Sequence, residues 1–119
     1  MSMQKFPSAV RSATFVGADN QLSIVPGAGL TVVLDVTAVP GTDTVQLVIE
    51  GRDPVSGKYW TLLQAAARVA TGTDVLQVAP GVPATANVSA NAVVPPYYRV
   101  RVVHSAGTNF TYSLAVYES

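Results

Sequence analysis

The chain has no cysteine and a single histidine, and charged side chains make up only 12% of its 119 residues. Without cysteine there is no disulfide framework, no cysteine-based zinc site and no thiol nucleophile. Synthesis in a cytosol therefore fits better than a small secreted scaffold. Seven Lys and Arg offset seven Asp and Glu. That leaves no cationic surplus to displace counterions, so nucleic acid is not an expected partner. No apolar run approaches the ~20 residues of a membrane span, and no membrane partner is expected. Residues 1–10 lack the apolar stretch of a signal peptide, so the sequons Asn87-Val88-Ser89 and Asn109-Phe110-Thr111 read as chance matches.

Groups that could do chemistry are equally sparse. Catalysis needs a positioned acid or base, a nucleophile with a partner, or a metal. His104 falls at a strand end beside a loop, and no Gly-x-Ser-x-Gly elbow accompanies the serines. The carboxylates are scattered, most of them in or beside turns. Glu50 and Asp53 match no calcium-loop spacing. Gly27-Ala28-Gly29 has neither the following helix nor the lysine of a phosphate loop. The expectation is a non-enzyme with no cofactor and no metal.

What the sequence does have is alternation with a period of two. Leu30, Val32, Leu34 and Val36 share one face and Thr31, Asp35 and Thr37 the other; Val45, Leu47 and Ile49 repeat the pattern. Asp53-Pro54-Val55-Ser56-Gly57 reads as a turn, with Pro54 presetting φ, Asp53 accepting from amides ahead of it and Gly57 free to take φ > 0. Tyr59 to Leu63 alternates after it. Leu62 to Ala70 reads as a strand with a bend, despite its helix-forming alanines. Further strands are expected around Arg11–Val16, Gln21–Val25, Val75–Val78 and Asn87–Ala92. Tyr98–Val102 and Phe110–Val116 read as a final hairpin across residues 104–109. Eight or nine short strands make an all-β protein, an antiparallel β-sandwich of immunoglobulin-like or jelly-roll-like form. Residues 1–9 read as an N-terminal arm and residues 10–119 as one domain. Area scaling buries roughly two-thirds of the unfolded chain's surface, enough for a core without staples.

A charge-poor, neutral surface suits a protein that works packed against others. Candidate contacts are Lys5 and Phe6 on the arm, the aromatics Trp60, Tyr97 and Tyr117, and the arginines Arg99 and Arg101 that share a face with Tyr97. The residues alone leave several readings open. The aromatics can serve an interface, pack under loops or stack on sugars. The arginines can guard a strand edge or meet an acidic patch on a partner.

The run from Leu34 to Leu63, followed by Thr71-Gly72-Thr73-Asp74-Val75-Leu76-Gln77-Val78-Ala79-Pro80-Gly81 and Tyr98-Arg99-Val100-Arg101-Val102-Val103-His104-Ser105, resembles small β-sandwich virion proteins. These are encoded among the head and tail genes of tailed bacteriophages, notably those of actinobacteria. The likeness covers about residues 30–117 and rests on overall pattern, with no catalytic signature. It implies a capsid decoration (cementing) protein on the outer head surface, made in the host cytoplasm. Its implied partners are the major capsid protein and further copies of itself, a trimer by preference. A tail or tail-fibre module, glycan-binding through Trp60 and Tyr97, is the alternative it leaves open.

Overall fold

The computed structural model describes residues 3–22 and 29–118, with the backbone alone for residues 18–22. Among them are nine strands and no helix: β1 (Met3–Arg11), β2 (Phe15–Leu22), β3 (Leu30–Ala38), β4 (Val45–Arg52), β5 (Tyr59–Gln64), β6 (Gly72–Val78), β7 (Ser89–Ala90), β8 (Tyr97–His104) and β9 (Phe110–Glu118). The alternation read from the sequence is the alternation of burial. Leu30, Val32, Leu34 and Val36 are fully buried, while Thr31, Val33 and Asp35 face out. In β9 the residues Phe110, Tyr112, Leu114 and Val116 are buried and their neighbours are not.

The strands form two sheets. Sheet A has the order β1-β9-β3-β6-β7 and sheet B the order β2-β8-β4-β5. All pairings are antiparallel except the two-residue β6–β7 contact. Setting β7 aside, first pairs with last (β1–β9), second with next to last (β2–β8), then β3–β6 and β4–β5. That is one long hairpin rolled over itself, the winding of a jelly roll. It decides between the two sandwich forms, because an immunoglobulin fold does not nest its strands this way.

Three expectations change. Tyr98–Val102 and Phe110–Val116 are not a hairpin: β8 lies in sheet B and β9 in sheet A, facing each other across the core. The 105–109 loop crosses between the sheets, held by Thr108 Oγ1 donating to Asp43 Oδ2 (2.6 Å) and Ser105 N to Thr44 O (3.0 Å). The expected arm over residues 1–9 is, from Met3 onward, the edge strand β1, because β9 offers it a free row of backbone partners from Tyr117 to Phe110. Arg11–Val16 is not one strand either: β1 ends at Arg11 and β2 begins at Phe15. The expected strand Gln21–Val25 is described only through Leu22, where β2 ends; residues 23–25 lie outside the described range.

The β4–β5 turn is built as its residues dictate. Asp53 Oδ1 accepts from Val55 N (3.0 Å) and Oδ2 from Ser56 Oγ (2.8 Å), which holds the Asp53 carboxyl below its ordinary pKa. Gly57 takes φ +75°. Beyond β5 the chain bends yet stays beside β4, with Ala65 N donating to Leu47 O (2.9 Å) and Arg68 N to Val45 O (2.8 Å). The bend expected in Leu62–Ala70 is therefore present. Asn87–Ala92 shortens to the two residues of β7.

Candidate interaction surfaces

A sheet packed on one side must still dispose of its other side, and the two sheets do so differently. The outer face of sheet B carries Val48 and Glu50 on β4, Arg99 and Arg101 on β8, and Tyr59 on β5. The register sets Val48 opposite Arg101 and Glu50 opposite Arg99. Arg99 Nε donates to Glu50 Oε1 at 2.6 Å, Arg101 Nε to the same oxygen at 2.9 Å, and Arg101 Nη2 to Oε2 at 3.1 Å. The Arg99 guanidinium lies 3.5 Å from the centre of the Tyr59 ring, and Arg52 stands 6.0 Å from that of Tyr97. These long side chains lie flat across the sheet. Although outward-facing, Val48 and Glu50 are buried beneath them. Val16 on the edge strand β2 stays exposed, but sheet B covers its β4–β8 centre with its own side chains.

Sheet A does not. Its outer face is set by the register Lys5–Ala115–Val33–Val75, with Met3–Tyr117–Thr31–Gln77 on one side and Ser113–Asp35–Thr73 on the other. Among the longer side chains of Met3, Lys5, Gln77 and Tyr117 the face is built of short or β-branched residues, and Met3, Val10 and Val75 are about half-exposed or more. Among the described residues Lys5 and Asp35 are the only charges on it. Neither forms an ion pair among the described residues; Asp35 Oδ1 accepts a hydroxyl from Thr73 at 3.2 Å.

The remaining candidates sort accordingly. Tyr117 and Lys5 belong to the open face of sheet A. Phe6 turns inward and meets Phe15 edge-on at 5.4 Å, in a space kept clear by Gly17, whose Cβ would lie 3.0 Å from the Phe6 ring. Tyr97, Arg99 and Arg101 belong to sheet B's self-covered face. Trp60 does not join them. Leu62 is an extra residue in β5, opposite the step from Ile49 to Glu50, and this β-bulge reverses the strand's phase. Trp60 then lies opposite Gly51 on the core side of sheet B, with its indole over the glycine: a Cβ there would sit 2.4 Å from Trp60 Cζ2. The other side of the ring is open at the sandwich rim, and the residue is half-exposed.

Two polar contacts join the sheets inside. Tyr98 Oη donates to the buried carboxylate of Glu118 at 2.6 Å, and burial raises the Tyr98 pKa far above 10. At the opposite end His104 Nε2 and Tyr112 Oη are 2.8 Å apart, and His104 Nδ1 is buried without a partner. Burial, then the Arg11 cation, lowers the His104 pKa from 6.5; burial pushes the Tyr112 phenol up to about 12. Arg11 fills the gap between β1 and β2. Its guanidinium sits 4.5 Å from the Phe15 ring centre and 4.7 Å from that of Tyr112, and it donates to the carbonyls of Tyr112 and Pro7. Here the His104 ring meets Phe110 and Tyr112, the latter also through its hydroxyl, and its backbone N–H donates to Thr14 Oγ1 at 3.2 Å. Among the described residues no three of His, Asp and Glu converge as metal ligands, and no helix is long and apolar enough to cross a membrane.

Reading the sequence missed Glu50 and Asp35 as surface determinants. Each is a lone carboxylate on an alternating strand, which was the available signal. Its meaning depends on the neighbouring strand, and that comes only from the fold. No protein-family model matches the chain, and no curated protein is similar to it.

Proposed function

We propose that the chain is a non-enzymatic structural protein of a tailed-phage virion. In this reading it is a decoration protein that binds between major capsid subunits on the outer head and stabilises the shell. The observation that carries this is the inequality of its two outer faces: one is largely closed over by its own arginines, and the other is broad, mostly small or β-branched, and nearly uncharged. A face of that kind gains from contact, because its cover is missing and little charge has to be desolvated. The jelly-roll winding adds support by analogy, since viral capsid domains and lectins use it. The residues that resemble phage virion proteins, from Leu34 to Ser105, include parts of both faces. Expanded capsids of the parent phage that lack this protein should take it up from solution and co-sediment with it. Shells that pellet without it would sink the proposal.

A tail or fibre module is the second reading, favoured by the open side of the Trp60 indole. Quenching of its fluorescence by host cell-wall glycans, with no uptake onto capsids, would support that reading instead.

A further inference from the structure

The open face of sheet A carries its two charges in a geometry that suggests its occupant. Lys5 lies on β1, level with Ala115, and Asp35 lies on β3, level with Ser113. The strand between them is β9, so the line joining the two charges crosses β9 between Ala115 and Ser113. A two-fold axis lying in the interface and bisecting that line at right angles sets each Lys5 opposite the Asp35 of the other copy. It also brings the short side chains of β9 close to their own copies near the axis, where bulk would hold the sheets apart. We propose that this face binds a second copy of the same chain in a two-fold, face-to-face pair closed by two reciprocal Lys5–Asp35 contacts.

The area and the chemistry agree with this occupant. Four strands about 4.8 Å apart and some 25–30 Å long give a face of roughly 500 Å² in projection and more as accessible surface, close to the ~800 Å² each partner contributes to a standard interface. A two-fold interface must be self-complementary, and one cation plus one anion placed symmetrically about small residues meets that condition. An acidic or basic partner would find no complement on a face whose charges cancel. Sheet B's outer face cannot serve equally, because its carboxylate is already held by two arginines of the same chain. The pairing rests on the reading of the protein as a contact-making part; it takes up the open face that supports capsid binding, so a paired molecule would meet the shell through its other surfaces.

The test is the mass of the full chain in solution, by sedimentation equilibrium, for wild type, Lys5→Asp, Asp35→Lys and the double swap. Thermal melts would show that each variant is folded. The expected result is a wild-type mass of two chains. Each single swap sets like charges opposite each other twice and should raise the dissociation constant roughly tenfold to a hundredfold. The double swap should restore the pair. A wild-type monomer or trimer would overturn the proposal, as would a dimer indifferent to both single swaps. Weakening without rescue in the double swap would overturn the Lys5–Asp35 contact. A monomer that still decorates capsids would refute this pairing and leave the virion reading standing; a dimer that ignores capsids would do the reverse.

Discussion

Replacing Glu50 by glutamine removes one charge and turns one oxygen into a donor, with almost no change of shape. Glu50 Oε1 takes two of the three arginine hydrogen bonds and Oε2 the third. In Glu50→Gln the amide carbonyl can keep the Oε1 position, but the NH₂ then faces Arg101 Nη2, donor against donor. Hydrogen bonds to charged groups contribute about 1.5–3 kcal/mol each, and breaking a fully buried ion pair costs about 3–5 kcal/mol. The Glu50 side chain is 8% exposed, but the arginines are 20% and 29% exposed. They recover water when released, which places the net loss near ~2 kcal/mol. Unfolding entropy of about 2.1 cal/mol/K per residue over this chain makes that a fall in Tm of ~8 °C. Calorimetry of wild type and variant in the same buffer measures it. A Tm within about 2 °C of wild type would refute the view that the arginine lid is fastened by Glu50 and not merely laid over it.

Gly51→Ala places a methyl where the indole lies, since the added Cβ would be 2.4 Å from Trp60 Cζ2. The only tryptophan should swing outward, with a red-shifted emission and a loss of about 1–2 kcal/mol; unchanged fluorescence would contradict the placement. His104 has a native pKa below 6.5, so its contribution is complete above pH 6.5 and declines as the pH falls through the lowered native value. Urea midpoints should therefore drop more between pH 7 and 5 in wild type than in His104→Gln. The tyrosines act in the opposite sense. Tyr98 and Tyr112 are raised above 10, so stability is complete below pH 10 and is lost as the pH climbs towards 12. Tyr112→Phe should flatten that alkaline limb.

The alternating strands were legible because side-chain period and burial period coincide when one face of a sheet is wet. That held for Leu30–Val36 and for Phe110–Val116, and the Asp53–Gly57 turn was as clear. Trp60, expected among the outward contacts, turns to the core side because of one residue, the bulge at Leu62, since an insertion reverses the facing of the strand on one side of it relative to the other. The hairpin expected between β8 and β9 failed for a different reason. Two apolar faces that answer each other can belong to one sheet or to opposing sheets, and periodicity alone does not separate these. Arg99 and Arg101 were picked out from the sequence, yet their partner Glu50 comes from a strand some fifty residues earlier. Lys5 and Asp35 share one face, on either side of β9, only through the strand order of the sheet.

The place of β9 also governs how the chain must be assembled in time. Among the described strands it is the last to leave the ribosome, yet it sits in the interior of sheet A, bonded to β1 on one side and β3 on the other. Until it arrives, β1 has no hydrogen-bonded neighbour among the described strands and one side of β3 is an unpaired edge. Met3 must wait for Tyr117. Sheet A therefore closes in a single late step that joins distant parts of the chain, only after β9 has emerged, and folding should be slow. A chain stalled before Phe110 would offer the slot meant for its own ninth strand to any strand that fits, and a neighbouring nascent copy carries one.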